Sequence, residues 1–164
     1  MRWRDRVRDS DRQAVRQLVA ATGFFNREEE EIAVELVDEA LAHGRASGYE
    51  FIFADAADGS GALLGYSCFG PIDGQPGAFD LYWIAVSPAR QRHGLGKRLI
   101  DKSERRIDAD GGREVFIDTS GRAQYRPTRD FYERMGYRVH EVLPDYYAPG
   151  DDKVIYAKSL RPGA

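Results

Sequence analysis

The sequence is poor in cysteine, and this scarcity excludes two kinds of architecture. Its 164 residues contain one cysteine, Cys68, so neither an internal disulfide framework nor a zinc site built on cysteines can form. The N-terminal stretch MRWRDRVRDS also lacks the apolar core of a secretory signal peptide. We therefore expect a protein of the reducing cytoplasm in which Cys68 is a small buried residue of a strand.

Long apolar runs and an excess of basic charge are missing as well. No apolar stretch approaches the roughly 20 residues that a membrane-spanning helix needs. The formal net charge is −3 at pH 7, so the general basicity on which nucleic-acid binders rely is absent. We expect no membrane partner and no nucleic-acid partner, although a local basic cluster could still bind a phosphorylated ligand.

The residues that are present describe an ordinary globular chain. Hydrophobic residues make up 42% and charged residues 31% of the sequence, a composition typical of folded domains. A chain of this length can bury one hydrophobic core. No linker long enough to divide the chain interrupts it, so we expect a single domain over residues 1–164.

The apolar periodicity predicts the element order βααβββαβαββ. After a short strand, one helix ends at Gly23 and a second begins at the capping residue Asn26, with Glu29 three positions later. The second helix is expected to bury the stripe Ile32, Leu36, Val37, Ala40 and Leu41. Three strands follow, and the third of them, FDLYWIAV, is apolar on both faces as in a central strand.

The second half of the chain alternates helices and strands. The third helix is predicted over LGKRLIDKSERRIDADGG and ends in two glycines. A strand, REVFIDT, follows it, and the fourth helix is predicted over PTRDFYERMG. The final segments YRVHEVL and DKVIYAKSL predict strands on either side of the loop PDYYAPGDD. The whole is a mixed α/β domain.

The segment VSPARQRHGLGKRLI, residues 86–100, carries the clearest chemical signal. A strand, a glycine-rich turn and a helix in this order present backbone N–H groups and a partial positive charge to an anion. A nucleotide-hydrolase phosphate loop would need glycine at Gln91 and Ser or Thr at Arg98, so that motif is excluded. The dinucleotide-binding motif fails as well, because Leu99 stands where its third glycine belongs.

What remains is the pattern Q/R-x-x-G-x-G/A, formed by residues 91–96. It resembles the acetyl-CoA pyrophosphate loop of the GNAT N-acetyltransferase superfamily, and FYERMGY at residues 131–137 resembles the second signature of that superfamily. The resemblance implies a GNAT-type fold, with a central, mostly antiparallel mixed sheet and helices on both faces. It also implies acetyl-CoA as cosubstrate, direct transfer of the acetyl group to an amine, and no metal.

The family's cofactor contacts fall on two neighbouring stretches. The strand end Ile84, Ala85 and Val86 would pair through its backbone with the pantetheine arm. The loop would bind the pyrophosphate through Gln91, Arg92, His93, Gly94, Leu95, Gly96 and Lys97. In that loop small residues allow close backbone approach, and Arg92 and Lys97 add positive charge.

Two proton transfers require further residues. The resemblance assigns Tyr132 as the acid that assists the departing thiolate, with Phe131 and Met135 expected to form the buried face of the same helix. Asp118 and Asp80 are the candidate bases for the acceptor amine. The family often has Asn seven residues before the tyrosine, and Tyr125 stands there in this sequence.

The acceptor is the least constrained part of the prediction. PDYYAPGDD resembles the last hairpin of RimI-like peptide acetyltransferases, and the candidate acceptor-binding residues are Phe25, Tyr82, Tyr146 and Tyr147. We expect a small-molecule or amino-acid-like amine as acceptor. The alternatives are a peptide N-terminus or lysine and, in another class, an acyl-CoA-binding sensor without turnover. The resemblance also allows a homodimer.

Overall fold

The computed structural model describes residues 1–161, which fall into two compact units. Unit 1 contains residues 1–70 and 83–103, and unit 2 contains residues 71–82 and those from 104 onward. The fourth strand and the third helix contribute residues to both units. Among the described residues, no helix combines the length and apolar character that a membrane crossing requires.

The order of elements is the one that the periodicity predicts. The helices are α1 (Asp11–Thr22), α2 (Arg27–His43), α3 (Leu95–Ala109) and α4 (Arg126–Arg134). The strands are β1 (Arg2–Arg4), β2 (Glu50–Asp55), β3 (Leu63–Pro71), β4 (Ala78–Val86), β5 (Glu114–Ser120), β6 (Arg138–Ala148) and β7 (Asp151–Ser159). Short 3₁₀ turns cover Gly44–Ser47, Pro88–Arg90 and Ala123–Tyr125.

Unit 1 packs helices against an antiparallel ladder. β1 pairs with β2 and β2 with β3, and the inward side chains of these strands form an aromatic core with α1 and α2. Phe51, Phe53 and Tyr66 stack within this core at ring centroid distances of 5.3 to 6.3 Å. Cys68 lies in the same core with no exposed surface, which confirms its predicted burial.

Helix α2 begins as predicted and turns most of the predicted stripe toward the core. Asn26 Oδ1 accepts the Glu29 N–H at 2.8 Å and the Asn26 N–H donates to Glu29 Oε1 at 3.1 Å, a complete capping box. The prediction for Ile32 is wrong, because this side chain is 43% exposed. The buried residues are Ala33, Val34, Val37 and Ala40. Val37 and Ala40 are therefore buried as predicted, and Leu36 and Leu41 are partly buried against the same core.

Unit 2 holds the parallel pair of the sheet. β4 pairs in parallel with β5, β5 pairs antiparallel with β7, and β7 pairs antiparallel with β6. The seven strands follow the order β1-β2-β3-β4-β5-β7-β6, so the expected mostly antiparallel mixed sheet is confirmed. The buried side chains of unit 2 include Val115, Ile117, Tyr132, Tyr137 and Tyr156.

The last hairpin differs from its predicted form. β6 continues through the predicted loop to Ala148, and its register with β7 shifts between Leu143 and Ala148. Asp145, with φ of 55°, shapes this bulged segment. Its N–H donates to Asp152 Oδ1 at 2.9 Å and its carboxylate accepts the Gly150 N–H at 2.8 Å. These bonds replace ladder pairing, so a segment with loop composition continues a strand.

Candidate active site

The loop between β4 and α3 is fixed by hydrogen bonds at its start, and its last residues before α3 are exposed. The Ser87 N–H donates to the Leu64 carbonyl at 2.8 Å, and Gln91 Nε2 donates to the Val86 carbonyl at 3.4 Å. Arg92 then takes a φ of 69°, a left-handed conformation that is uncommon for a residue with a side chain. Gly94 has a φ of 78°, which glycine adopts without strain. The positive φ at this position therefore explains why the loop has a glycine at residue 94.

A glycine in β3 allows the first turn of α3 to pack closely. A Cβ atom at Gly65 would lie 3.1 Å from the Ala85 carbonyl oxygen and 3.2 Å from methyl carbons of Leu95 and Leu99. These two leucines are buried. Sequence reasoning missed Gly65, although a glycine inside a strand is a known signal of close backbone approach.

The start of α3 suits an anion. Its first turn contains no acidic residue, so no side-chain carboxylate offsets the partial positive charge of the helix end. Arg92 and Lys97 are exposed, and neither forms an ion pair with any residue within 1–161. Backbone N–H groups of a first helical turn have no partner in the helix. The loop therefore offers N–H groups and two cations that a diphosphate could bind.

In unit 2, β4 and β5 stop pairing before either strand ends. The paired residues run from Ala78 with Glu114 to Asp80 with Phe116. Within the described part of unit 2, β4 continues to Tyr82 and β5 to Ser120 without further pairing between them. Beyond Asp80, β4 therefore has backbone groups that β5 does not use, and Asp80 lies at the last paired position.

Asp80 belongs to a small charged cluster with Asp118 and Lys153. Lys153 Nζ lies 3.2 Å from Asp118 Oδ2, and their side chains are 18% and 42% exposed. Burial and the nearby Asp118 carboxylate raise the pKa of Asp80 to about 6, while Lys153 partly offsets this rise. Burial lowers the pKa of Lys153, but Asp118 and Tyr146 outweigh it, so the pKa lies above its usual value. The structure thus brings the two candidate bases into one electrostatic group.

Tyr132 is the most buried residue of α4, at 6% exposure. Phe131 and Met135 are half-buried, so the expectation that they form the buried face of this helix is wrong. The Tyr132 ring packs against Tyr137 and Tyr156 at centroid distances of 6.3 and 6.0 Å. Burial raises the pKa of the Tyr132 phenol, which is therefore neutral at physiological pH.

The candidate acceptor-binding aromatics lie in different places. In unit 1, Phe25 packs on Trp83 with ring centroids 4.7 Å apart, and the buried Trp83 Nε1 has no hydrogen-bond partner among the described residues. In unit 2, Tyr146 and Tyr147 form an edge-to-face pair at 5.2 Å and are 56% and 49% exposed. Tyr82 is exposed on β4.

The predicted site residues do not line the cavity of about 720 Å³ that opens in unit 1. That cavity lies against β1 and the start of α1, where Arg4 bridges Asp11 and Asp55 at 2.8 and 2.9 Å. These three side chains form a partly buried ion network that joins β1, α1 and β2. Within residues 1–161, no cluster of three or more His, Cys, Asp or Glu side chains could hold a metal ion.

Lys153 is the functional candidate that sequence reasoning missed. Its contact with Asp118 depends on the pairing of β5 with β7, in which Asp118 lies opposite Ile155. Lys153 is then a diagonal neighbour of Asp118, within reach of a long side chain. Because α4 and β6 separate these strands along the chain, no local pattern in the sequence could have indicated the pair.

Similar structures support the interpretation of the fold. A GNAT-family protein from Desulfovibrio desulfuricans superimposes with a TM-score of 0.93 and 46% identity, covering 98% of this chain and 99% of that chain. An aminoglycoside 6'-N-acetyltransferase complexed with coenzyme A superimposes with a TM-score of 0.75, covering 100% of this chain and 99% of that chain. Its identity is 18%, so the likeness concerns the fold alone.

A curated relative and a family match complete the comparison. NAA20 from Arabidopsis thaliana, the catalytic subunit of the N-terminal acetyltransferase B complex, is 29% identical over 107 residues, or 63% of this chain. The chain thus spans 60% of the length of that relative. Residues 13–137, well over half of the chain, match the acetyltransferase (GNAT) family. The chain therefore belongs to the acetyltransferase (GNAT) family and is an acyltransferase.

Proposed function

We propose that the protein transfers the acetyl group of acetyl-CoA to a primary amine of a small molecule or amino-acid-like acceptor. The observation that carries this proposal is the open start of α3. There, the left-handed Arg92, the glycine turn at Gly94 and an acid-free first turn present donors and charge for a diphosphate. Gln91, His93, Leu95, Gly96 and Lys97 complete the proposed pyrophosphate loop.

The strand β4 supplies the second proposed donor contact. We assign the backbone of Ile84, Ala85 and Val86 to the pantetheine arm, whose amide groups can pair with a strand as a further strand would. The end of β4–β5 pairing at Asp80 supports this role. Bound acetyl-CoA supplies a thioester carbonyl that an amine can attack without a metal or an enzyme nucleophile.

Asp80 is the proposed base. With a pKa of about 6, its carboxylate is largely ionised at neutral pH yet holds a proton better than an ordinary aspartate. It takes one proton from the acceptor ammonium, and the neutral amine keeps the electron pair that forms the new N–C bond. Asp118 remains the second candidate base, because it lies in the same charged cluster.

Tyr132 is the proposed donor to the sulfur that leaves when the C–S bond breaks. Its phenol stays protonated because burial raises its pKa. The same rise makes complete proton transfer to a thiolate unfavourable, since the ordinary phenol pKa of about 10 already exceeds that of a thiol, about 8.5. We therefore assign Tyr132 a hydrogen bond that stabilises the developing thiolate. The thiolate then takes up the second proton, which the attacking nitrogen releases as the amide forms.

The pKa of Asp80 indicates how basic an acceptor amine the site can deprotonate. Moving a proton from an α-amine of pKa about 8 to a carboxylate of pKa about 6 costs roughly 3 kcal/mol. Moving it from a lysine side chain of pKa about 10.4 costs roughly 6 kcal/mol. The difference favours amines of low pKa, such as those of amino-acid-like molecules, over lysine side chains.

A peptide amine is the second candidate acceptor. The exposed Tyr146 and Tyr147 pair on β6 could pack against a peptide chain, and the curated relative is named as an N-terminal acetyltransferase. The aminoglycoside enzyme among the similar structures is named for a small-molecule amine. Phe25 and Tyr82 are the further acceptor contacts that we propose.

Release of the CoA thiol tests the proposal. The protein is mixed with acetyl-CoA and with kanamycin, spermidine, L-lysine amide or a short peptide with a free N-terminus, and free thiol is followed by its reaction with an aromatic disulfide. We expect turnover with at least one small amine, and a weaker Kd for CoA in an Arg92→Ala/Lys97→Ala variant because two cations are lost. Unchanged CoA affinity in that variant would contradict the proposed pyrophosphate loop.

Tyr132→Phe separates an enzyme from an acyl-CoA sensor. For an enzyme we expect kcat to fall more than CoA binding weakens, because the hydroxyl acts on the leaving sulfur. CoA binding with no turnover on any amine, in the wild type and the variant alike, would favour the sensor. A cytoplasmic location and a homodimer remain predictions, to be checked by fractionation and by sedimentation.

A further inference from the structure

Lys153 is held between two groups on neighbouring strands. Its ammonium lies 3.2 Å from Asp118 Oδ2 on β5 and 4.4 Å from the centroid of the Tyr146 ring on β6. The carboxylate attracts the charge directly, and the aromatic face adds a cation–π attraction. Only 18% of the side chain is exposed, so these contacts are partly shielded from solvent.

Two charged side chains, Asp118 and Lys153, influence the ionisation of Asp80. Asp80 pairs with Phe116 of β5, so Asp118, two positions further along β5, lies on the same face of the sheet, where Lys153 of β7 binds it. Asp118 and Lys153 are also the two charged groups that alter the pKa of Asp80. Two titratable groups of β6 contact these strands: the Tyr146 ring lies against Lys153, and the His140 ring packs on Phe116 at a centroid distance of 5.3 Å.

The other two carboxylates at the start of β7 are engaged elsewhere. Asp151 accepts a hydrogen bond from Ser120, and Asp152 accepts one from the Asp145 N–H. They are therefore committed to the ends of β5 and β6. Neither contributes to the pKa of Asp80.

We propose that Lys153 is a positioning residue for acceptor deprotonation: it binds Asp118, removes that carboxylate from proton transfer and leaves Asp80 to accept the proton. The inference rests on the proposed function, which has Asp80 as base. The step balances, since the acceptor ammonium loses one proton, Asp80 gains it, and the amine keeps the electron pair. Lys153 exchanges no proton in it.

The proposal predicts the direction in which each substitution shifts the pKa of Asp80. The Asp118 charge disfavours ionisation of Asp80, whereas the Lys153 charge favours it. Removing Lys153 leaves two carboxylates without their cation, so Asp80 should release its proton at higher pH. Removing Asp118 leaves the cation without its partner, so Asp80 should release its proton at lower pH.

Carboxyl NMR tests this without any acceptor. Aspartates are labelled with ¹³C at the carboxyl carbon, the Asp80 signal is assigned from its loss in Asp80→Asn, and its midpoint is followed from pH 4 to 8. We expect the midpoint to rise in Lys153→Met and to fall in Asp118→Asn. Lys153→Arg should restore the wild-type midpoint, because it restores the cation.

Lys158→Met is the matched control. Lys158 is a lysine of the same strand, but it binds Glu104 at 2.8 Å and the Met135 carbonyl at 2.9 Å. Its removal should lower the melting temperature and leave the Asp80 midpoint unchanged. An unchanged midpoint in Lys153→Met, or an equal rise in Lys158→Met, overturns the inference. Lys153→Gln serves as the second variant if Lys153→Met fails to fold.

The pH dependence of the rate provides the second readout. For any acceptor that turns over, the ratio of variant to wild-type rate cancels the titration of the acceptor itself. A midpoint one pH unit higher leaves roughly a tenth of Asp80 ionised at pH 6 instead of about half, so Lys153→Met should be about fivefold slower there and nearly normal at pH 8.

The rates of two variants separate the two possible failures. If Asp80→Asn keeps the wild-type rate, the proposed base is wrong. If Asp80→Asn is slow but the ratio for Lys153→Met does not change with pH, the base stands and the role of Lys153 is overturned.

Discussion

Asp80 and Asp118 have the same side chain and different environments. Asp80 is half-buried at the end of the β4–β5 pairing, whereas Asp118 is more exposed and bound to a lysine. Burial raises the pKa of Asp80 to about 6. Pairs of carboxylates in unequal environments are typical of acid–base sites. A single residue is therefore expected to affect both the chemistry and the stability of this protein.

Asp80→Asn should stabilise the protein at neutral pH. The unfolded chain releases this proton near pH 3.9, while native Asp80 holds it to about pH 6, so the native state binds more protons between these values. Stability therefore falls as pH rises through this window. We expect the variant to gain on the order of 1 kcal/mol of unfolding free energy at pH 7.5, after allowance for partial exposure, and almost nothing at pH 4.

Urea unfolding of both proteins at the two pH values measures this gain. Asp118→Asn is the comparison, because it breaks the ion pair with Lys153 and should not stabilise at pH 7.5. A gain of equal size at pH 4 would show that the effect does not arise from ionisation of Asp80.

Residue types and order could predict part of the site. Tyr132, Asp80 and Asp118 were indicated by the resemblance and by their places on predicted elements. The roles of Lys153 and of Trp83 Nε1, which has no hydrogen-bond partner within residues 1–161, could not be predicted, because both depend on which side chains meet in the folded protein. Their environment is set by strand register, which a single sequence does not encode locally.

At the scale of elements, two adjacent glycines that follow α3 have different roles. Gly111 has a φ of 90° and open space where a Cβ atom would stand. At Gly112 a Cβ atom would lie 2.2 Å from Ile107 Cγ2 and 2.9 Å from both the Ile107 carbonyl oxygen and Phe79 Cδ1. The first glycine satisfies a backbone conformation, and the second allows close packing.

Alanine substitutions should separate these tasks. Gly112→Ala must displace a backbone carbonyl or a buried ring, so we expect a loss of about 2 to 4 kcal/mol of unfolding free energy. Gly111→Ala meets only backbone strain, which costs about 1 kcal/mol. Thermal and urea unfolding of the two variants provide the measurement. Equal losses would contradict the packing role of Gly112, and Gly111→Asn should be tolerated best because asparagine accepts this conformation.

Element boundaries were predictable where local chemistry determines them. The start of α2 follows from Asn26 and Glu29, which cap each other directly. The extension of β6 was not predictable, because PDYYAPGDD has the composition of a loop and forms a strand through contacts of Asp145 with Gly150 and Asp152. The buried face of α2 depended on packing within unit 1, and the expectation for Ile32 failed for that reason.

At the scale of the whole molecule, the order of elements was predictable and the sheet order was not. The sequence periodicity alone supports βααβββαβαββ. The placement of β7 between β5 and β6 was not predicted, since local pattern does not determine which strands pair. This placement brings Lys153 beside Asp118.

The cysteine should report opening of the native protein. Cys68 has no exposed surface, and burial raises the pKa of its thiol well above the usual value. We expect an aromatic disulfide to label it at least about a thousandfold more slowly than a free thiol, because reaction must wait for the native core to open. Denaturant should release one reactive thiol per chain. Labelling at the rate of a free thiol without denaturant would contradict the buried placement.

Because its thiol is buried, the enzyme itself contributes almost no signal to a thiol-release assay. Acetyl transfer releases one thiol from each donor molecule consumed, and the same aromatic disulfide detects it. Since the protein has one cysteine and that cysteine lies in the core of unit 1, the colour that develops in a working assay belongs to the product. In a control without acetyl-CoA and acceptor, a slow rise of the signal then measures unfolding of the enzyme. The same reagent therefore reports turnover in one recording and inactivation in the other.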